Sequence, residues 1–183
     1  LSDEITLIVD VGTNAELVLG NKERLLVASS PTGPAFEGAQ ISSGQRAAPG
    51  AIERVRIDKQ TLEPRFQVIG CDLWSDDPGF EDATRLSGVT GICGSGIIEL
   101  VAELFLAGTV TTDGVINGNS ALKSKRIKED GRTYRYVLIE RENEVSINQT
   151  DIRAIQLAKA ALYAGAQLLM DKIKIKTIDR IIL

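Results

Sequence analysis

The stretch that decides the fold is Ile5-Thr-Leu-Ile-Val-Asp-Val-Gly-Thr-Asn-Ala-Glu-Leu-Val-Leu19, in which two apolar runs flank a polar turn. Apolar residues alternate along 5–9 and again along 15–19, which is the period of a strand with one buried face. Gly12 allows the backbone to reverse between the two runs. The pattern predicts two antiparallel strands joined by a tight turn at the start of an α/β protein.

The turn itself, Asp10-Val-Gly-Thr-Asn14, supports two interpretations. The N–H groups of such a turn, with the Thr13 hydroxyl and the Asn14 amide, can hold a phosphate. Asp10, at the end of its strand, can hold a magnesium ion or orient a water molecule. Asn and Gly are also common in ordinary hairpins. The turn taken alone leaves both interpretations open.

Composition excludes several classes of function. The chain has 183 residues, of which 43% are apolar and 25% charged, with a net charge of −4. These values are typical of a soluble globular protein of one domain or two small lobes, and give no reason to expect nucleic acid. No apolar run of about 18 residues predicts a membrane span. No signal peptide is visible, so we expect a cytoplasmic protein.

Cys71 and Cys93 are the only cysteines, and the chain has no histidine. A four-ligand zinc or iron–sulfur site therefore cannot come from these residue types within this chain alone. We expect two free thiols. The chain begins without Met, and 178–183 is interpreted as a buried strand with nothing after it, so we also expect a piece of a longer protein.

Further elements follow from periodicity and turn residues. Pro34 suits the first position of a short helix capped by Thr32 or Gly33. Thr150 is the expected cap of a long, narrow final helix with a continuous apolar face. Strands are predicted at 5–11, 14–20 and 24–29, which would form an antiparallel meander. Further strands are predicted at 52–57, 65–69, 134–140 and 144–147.

A second element, Gly91-Ile-Cys-Gly-Ser-Gly96, is rich in glycine and leads directly into a helix over 97–107. The apolar residues of that helix, which include Ile98 and Phe105, predict a broad apolar face. Such a helix start can bind an anion. It lacks the lysine of a P-loop, and its spacing is not the Rossmann fingerprint. Close packing of the helix on a strand explains the glycines equally well, and both interpretations stay open.

Two charged stretches have simple interpretations. Residues 71–83 carry five carboxylates at a spacing unlike an EF-hand, which indicates a solvated acidic loop. Residues 123–135 are rich in Lys and Arg with a single aromatic residue, Tyr134, near the end, which favours the exposed face of a hairpin over a nucleic-acid platform.

Together these residues resemble a known family. The segment 10–16 is similar to the second phosphate loop of the acetate and sugar kinase, heat-shock and actin (ASKHA) superfamily. Four ordered stretches resemble the C-terminal domain of reductive activators of corrinoid proteins, namely 9–20, 32–40 with 46–53, 91–99 and 151–164. The coverage is weakest at 71–86 and 110–147.

The resemblance implies a fold and a domain organisation. The fold class is α/β, a ribonuclease-H-like lobe of the actin-like ATPase type. It would contain a mixed sheet of about five strands flanked by helices, with β-hairpin insertions. Residues 1–183 would form the second, incomplete lobe of the ATPase domain, with insertions or a subdomain at 52–86 and 110–147.

The resemblance also implies an activity for the parent protein. Members of the family use ATP and Mg²⁺ to return a Co(II) corrinoid to Co(I) on the corrinoid protein of a methyltransferase system. The electron comes from a low-potential donor through a separate 2Fe–2S domain, which this chain lacks. A homodimer is compatible with this activity, and neither nucleic acid nor a membrane is an expected partner. The isolated chain is expected to bind ATP weakly and to hydrolyse essentially none.

The resemblance assigns roles residue by residue. Asp10 would be the catalytic carboxylate, near Mg²⁺ through water or beside the attacking water. The phosphate and nucleotide contacts would come from Gly12, Thr13, Asn14, Gly33, Glu37, Gly94, Ser95 and Gly96.

Two alternatives remain at this stage. The chain could be a lobe of an ATP-dependent activator of acyl-CoA dehydratases or reductases, which hold a 4Fe–4S cluster between subunits through two cysteines each. It could also be a non-catalytic lobe that docks the partner protein.

Overall fold

The computed structural model describes residues 3–141 and 143–183. In chain order, the elements are β1 (Thr6–Val11), β2 (Ala15–Gly20), β3 (Leu25–Ser30), β4 (Ala51–Ile57), β5 (Pro64–Val68), α1 (Phe80–Ala83), β6 (Gly91–Ile92), α2 (Gly94–Leu106), β7 (Ile127–Asp130), β8 (Thr133–Ile139), β9 (Val145–Asn148), α3 (Gln149–Ile173) and β10 (Arg180–Ile182). Short 3₁₀ segments cover Pro34–Glu37 and Gly118–Leu122.

The chain divides into two compact units. The first unit comprises Leu1–Phe36 and Gln156–Leu183, and the second comprises Glu37–Ile155. No helix within the described ranges is long and apolar enough to cross a lipid bilayer.

The first unit is built on a mixed four-stranded sheet in the order β10-β1-β2-β3. The strands β1, β2 and β3 pair in antiparallel fashion, whereas β10 runs parallel to β1. The predicted meander is therefore confirmed, because alternating apolar residues on three consecutive short strands leave one common buried face.

That buried face packs against the C-terminal part of α3. Leu7, Val9, Leu17 and Leu19 form a buried cluster with Leu169 of the helix. The helix approaches very closely at Gly165, where an added Cβ would lie 2.6 Å from Cδ1 of Leu17. The predicted apolar face of the last helix is thus confirmed.

The prediction of a buried final strand is wrong. The three residues of β10 are all exposed, with Ile181 60% and Ile182 45% accessible. Strand β10 lies at an edge of the sheet, and Ile182 pairs with the exposed Ile8 on the face that α3 does not cover.

The second unit contains a three-stranded sheet in the order β5-β4-β6, with α2 packed on β4. Strand β6 pairs with Ala51 and Ile52, the first two residues of β4. Further along that strand, two carboxylates of α2 accept main-chain hydrogen bonds. Val55 N donates to Glu99 Oε2 at 2.6 Å, and Ile57 N donates to Glu103 Oε2 at 3.1 Å.

The buried face of α2 is narrower than the sequence predicts. Ile97, Leu100 and Leu104 are fully buried, but Ile98 and Phe105 are 47% and 48% exposed. The helix is apolar on more than one side. Strand β4 covers only the side that carries Ile97, Leu100 and Leu104, which are spaced three and four residues apart.

A second three-stranded sheet, β7-β8-β9, completes this unit. Tyr136 of β8 is fully buried and donates its hydroxyl to the Leu62 carbonyl oxygen at 2.8 Å. Burial raises the pKa of Tyr136, so the phenol remains a hydrogen-bond donor. The contact connects this sheet to the turn between β4 and β5.

The start of α3 is capped differently from the prediction. Asn148, not Thr150, receives the Asp151 N–H on its side-chain oxygen at 3.0 Å, and Asp151 Oδ2 accepts from Asn148 N at 2.9 Å. This reciprocal pair is a capping box with Asp in place of Glu. Asp151 is 1% exposed and also accepts a hydrogen bond from the Ser42 N–H at 2.9 Å, which holds Ser42 at the start of α3.

The acidic loop at 71–83 is held against β5. Ser75 and Phe66 exchange two hydrogen bonds, at 2.8 and 3.0 Å. The Arg65 guanidinium carbon lies 4.7 Å from the centre of the Trp74 ring. The loop is therefore anchored by hydrogen bonds between Ser75 and the main chain of Phe66 and by a cation–π contact, with the short helix α1 at its end.

Candidate nucleotide-binding site

The turn between β1 and β2 is a three-residue loop, Gly12–Asn14, closed by the pairing of Val11 with Ala15. Inside it, Gly12 N donates to the Asn14 carbonyl oxygen at 2.9 Å. The side chains of Thr13 and Asn14 are exposed. Three of the predicted phosphate-binding residues are therefore adjacent on one accessible loop.

Asp10 lies just before this loop, on the sheet face that α3 leaves uncovered. It is exposed, and it pairs across the strands with Glu16. Glu16 in turn accepts a hydrogen bond from the Ser29 hydroxyl at 2.8 Å. Because Asp10 is open to solvent, a hydrated cation or an attacking water can reach its carboxylate.

Thr32 contacts the loop from within the first unit. It is 6% exposed, and its hydroxyl lies 3.3 Å from the Gly12 carbonyl oxygen and 3.2 Å from that of Thr13. The sequence indicates Thr32 only as a possible cap of the next helical turn. No local pattern predicts its contact with a loop twenty residues earlier.

Gly33 and Glu37 flank the 3₁₀ segment that replaces the predicted short helix. Gly33 has φ of +71°, a backbone conformation that favours glycine. Glu37 ends the segment and its side chain is exposed. Gly33 belongs to the first unit and Glu37 to the second.

Gly94, Ser95 and Gly96 form the first turn of α2 in the second unit. Ser95 is exposed, but Gly96 is buried, and a Cβ there would lie 2.2 Å from the Ile52 carbonyl oxygen. Close packing of helix on strand is therefore required at Gly96. The N–H groups of this first turn have no acceptor within the helix, as at any helix start.

The two cysteines do not suit an intersubunit iron–sulfur cluster. Both are free, and Cys93 is 2% exposed with its thiol 3.2 Å from the Ile52 carbonyl oxygen. Within residues 3–141 and 143–183, no group of three or more His, Cys, Asp or Glu side chains could hold a metal ion.

The meander, the short polar loop at its first turn and the long helix behind it define an actin-like α/β lobe of the ASKHA type. The chain belongs to the family of the C-terminal domain of RACo, the ASKHA domain, because the model of that family matches residues 4–183. The resemblance and the fold class inferred from the sequence are thus confirmed.

Named relatives agree with this family. The corrinoid activation enzyme RamQ of Eubacterium limosum is 34% identical over 186 residues, covering 96% of this chain and 28% of that protein. The [Co(II) methylated amine-specific corrinoid protein] reductase of Methanosarcina barkeri is 33% identical over 117 residues, covering 60% of this chain and 21% of that protein.

A solved structure matches almost the whole chain. The reductive activator for corrinoid, iron–sulfur protein superposes with a TM-score of 0.79 at 36% identity, covering 98% of this chain and 27% of that chain. The chain therefore spans less than a third of the length of the relatives it matches.

Proposed function

We propose that this chain is the nucleotide-binding lobe of an ATP-dependent reductive activator that returns Co(II) corrinoid proteins to Co(I). The observation that carries the proposal is the match of 98% of the chain, at 36% identity, to a reductive activator for corrinoid, iron–sulfur protein. Residues 1–183 would be the second lobe of the ATPase domain, with insertions at 52–86 and 110–147.

The accessible loop supports the nucleotide-binding part of the proposal. Gly12, Thr13 and Asn14 would contact the β- and γ-phosphates of ATP through main-chain N–H groups and short polar side chains. Phosphoryl transfer depends on positioning and charge stabilisation rather than on covalent chemistry by the protein, so a firmly held loop of this kind is what the reaction needs.

Asp10 would act on the hydrated Mg²⁺ ion or on the attacking water. Its carboxylate is exposed, one residue before the end of β1, and therefore next to the loop that would hold the phosphates. Magnesium ions bound beside phosphates usually keep several waters and take only one or two carboxylates. A single accessible aspartate fits that requirement.

The remaining assignments concern other segments of the chain. Gly33 and Glu37 would lie near the ribose, and Gly94 and Ser95 would present the start of α2 to an anion. Gly96, assigned to the same group, would contribute through packing.

The parent protein would carry the other parts of the reaction. A separate 2Fe–2S domain would pass an electron from a low-potential donor to the cobalt of the corrinoid partner. The protein would work in the cytoplasm, and a homodimer is compatible with this function.

The test is Mg·ATP hydrolysis by the full-length parent protein, with Asp10→Ala compared against the native protein. We expect a loss of about 100-fold or more in kcat, the size seen when a transition-state stabilising group is removed. Asp72→Ala, at an exposed aspartate of the acidic loop, is the matched control and should leave hydrolysis unchanged. Unchanged hydrolysis in Asp10→Ala, with the circular dichroism spectrum intact, would reject the site.

A further inference from the structure

We propose that Thr32 is a positioning residue for the phosphate loop, setting the direction in which its main-chain N–H groups point. This inference rests on the proposed function, because it assumes that Gly12–Asn14 contacts phosphate. Its ligand is accordingly the phosphate chain of Mg·ATP.

The geometry begins with one buried hydroxyl that faces two successive carbonyl groups. Thr32 Oγ1 lies 3.3 Å from the Gly12 carbonyl oxygen and 3.2 Å from the Thr13 carbonyl oxygen, which permits a shared hydrogen bond. The threonine is 6% exposed, so its side chain is largely shielded from water.

Two carbonyl directions determine two N–H directions. In a trans peptide the C=O of one residue and the N–H of the next point in opposite directions within one plane. Holding the Gly12 and Thr13 carbonyls towards Thr32 therefore turns the N–H groups of Thr13 and Asn14 away from it. A set of N–H groups directed to one side of a turn is the arrangement that binds anions.

Thr32 is itself held by the body of the first unit. Its N–H donates to the Ser30 carbonyl oxygen at 2.9 Å, and the Ser30 hydroxyl donates to the Ala161 carbonyl oxygen of α3 at 2.5 Å. Ser30 also sits at the tight helix–sheet contact, 3.2 Å from where a Cβ on Gly165 would be. The loop is thus connected to α3 through two buried residues, Thr32 and Ser30.

The first measurement is hydrogen exchange in the full-length protein without nucleotide. Thr32→Val keeps the shape of the side chain but removes the hydroxyl. We expect amide exchange across 10–16 to rise about tenfold, the factor that corresponds to one ordinary hydrogen bond. Thr32→Ser keeps the hydroxyl and should restore native exchange.

The second measurement compares ligands with and without phosphates. Thr32→Val should raise the Kd for Mg·ATP about tenfold while changing the Kd for adenosine by less than about twofold. A general loss of stability would weaken the binding of Mg·ATP and of adenosine alike. The ratio of the two Kd values therefore separates a positioning role from a merely structural one. Thr32→Ala repeats both measurements should the valine variant fail to fold.

Thr84→Val is the matched control. Thr84 is 5% exposed, and its hydroxyl donates to the Phe80 carbonyl oxygen at 2.8 Å in the second unit. It should leave both the exchange of 10–16 and the ATP-to-adenosine ratio at native values.

The outcomes separate this inference from the proposed function. Native exchange in Thr32→Val, or faster exchange with an unchanged ATP-to-adenosine ratio, overturns the role of Thr32. If Asp10→Ala abolishes hydrolysis in the same preparation, only the inference about Thr32 fails. Active Asp10→Ala would instead reject the proposed site itself.

Discussion

Replacement of Glu99 by alanine should destabilise the second unit by about 2–3 kcal/mol, because it removes a charged acceptor from a buried strand. Val55 is fully buried, and its N–H donates to Glu99 at 2.6 Å. The same carboxylate accepts from the Arg56 guanidinium at 2.5 Å. Replacement by alanine leaves the Val55 N–H without an acceptor. The Arg56 side chain is 38% exposed and can form hydrogen bonds with water instead.

The pH dependence identifies the charge as the cause. Burial acts to raise the pKa of Glu99, but hydrogen bonds from Arg56 and Val55 outweigh it, and the pKa lies below the usual glutamate range. The unfolded chain then binds more protons than the folded one, so this contribution is present above the unfolded pKa. It is lost as the pH falls through the lower, folded pKa.

Urea unfolding followed by tryptophan fluorescence measures both effects. Trp74 is the only tryptophan, and its ring lies 5.9 Å from the Arg56 guanidinium carbon, so it reports on this unit. The Glu99→Gln variant should have a lower free energy of unfolding than the native chain at pH 7. This difference should shrink as the pH is lowered from 7 towards 3. Glu103→Ala, which removes a single longer bond to Ile57, is the matched comparison and should cost about 1–2 kcal/mol. A difference in free energy of unfolding between Glu99→Gln and the native chain that is the same at both pH values would refute the reasoning.

Two further changes test the second unit by the same urea assay. Tyr136→Phe should lower the free energy of unfolding by about 1 kcal/mol, because the Leu62 carbonyl loses a buried donor. Tyr134→Phe, at a half-exposed position, should lower it clearly less. Equal losses in the two variants would contradict the role of the Tyr136 hydroxyl. Thr109→Val should stabilise the unit by about 1 kcal/mol, because Thr109 Oγ1 is buried without a hydrogen-bond partner among the described residues. Thr109→Ser keeps the hydroxyl and should not stabilise the unit. A destabilised valine variant would show that the hydroxyl has a partner.

Local pattern was sufficient to predict the meander and its loop. Alternation along 5–9 and 15–19 sets which face is buried, and the turn residues between them set where the chain reverses. All the information for β1, β2 and the Gly12–Asn14 loop lies within about fifteen residues. The positions of these elements were therefore predictable to within a residue.

Contacts between distant segments were not predictable in this way. Glu99 and Glu103 lie four residues apart on a helix, a spacing usual for a solvent-exposed face, yet both accept from N–H groups of β4. The cap of α3 shows the same limit, since Asp151 also binds Ser42, 109 residues away. Each of these polar roles depends on the register between two elements, which a single sequence does not display.

The two candidate phosphate-binding elements, the loop at Gly12–Asn14 and the start of α2, differ in what their residues do. Gly96 is buried where a Cβ would collide with the main chain of β4, so its substitution would disturb packing whatever the segment binds. The loop at Gly12–Asn14 is accessible and follows the exposed carboxylate of Asp10. Its main chain accepts a hydrogen bond from the buried Thr32. Loss of activity in a Gly96 variant would therefore say little about nucleotide contact. Asp10 and Thr32 lie outside the buried hydrophobic cluster of the first unit, so variants at these two positions test the proposed nucleotide contact more directly.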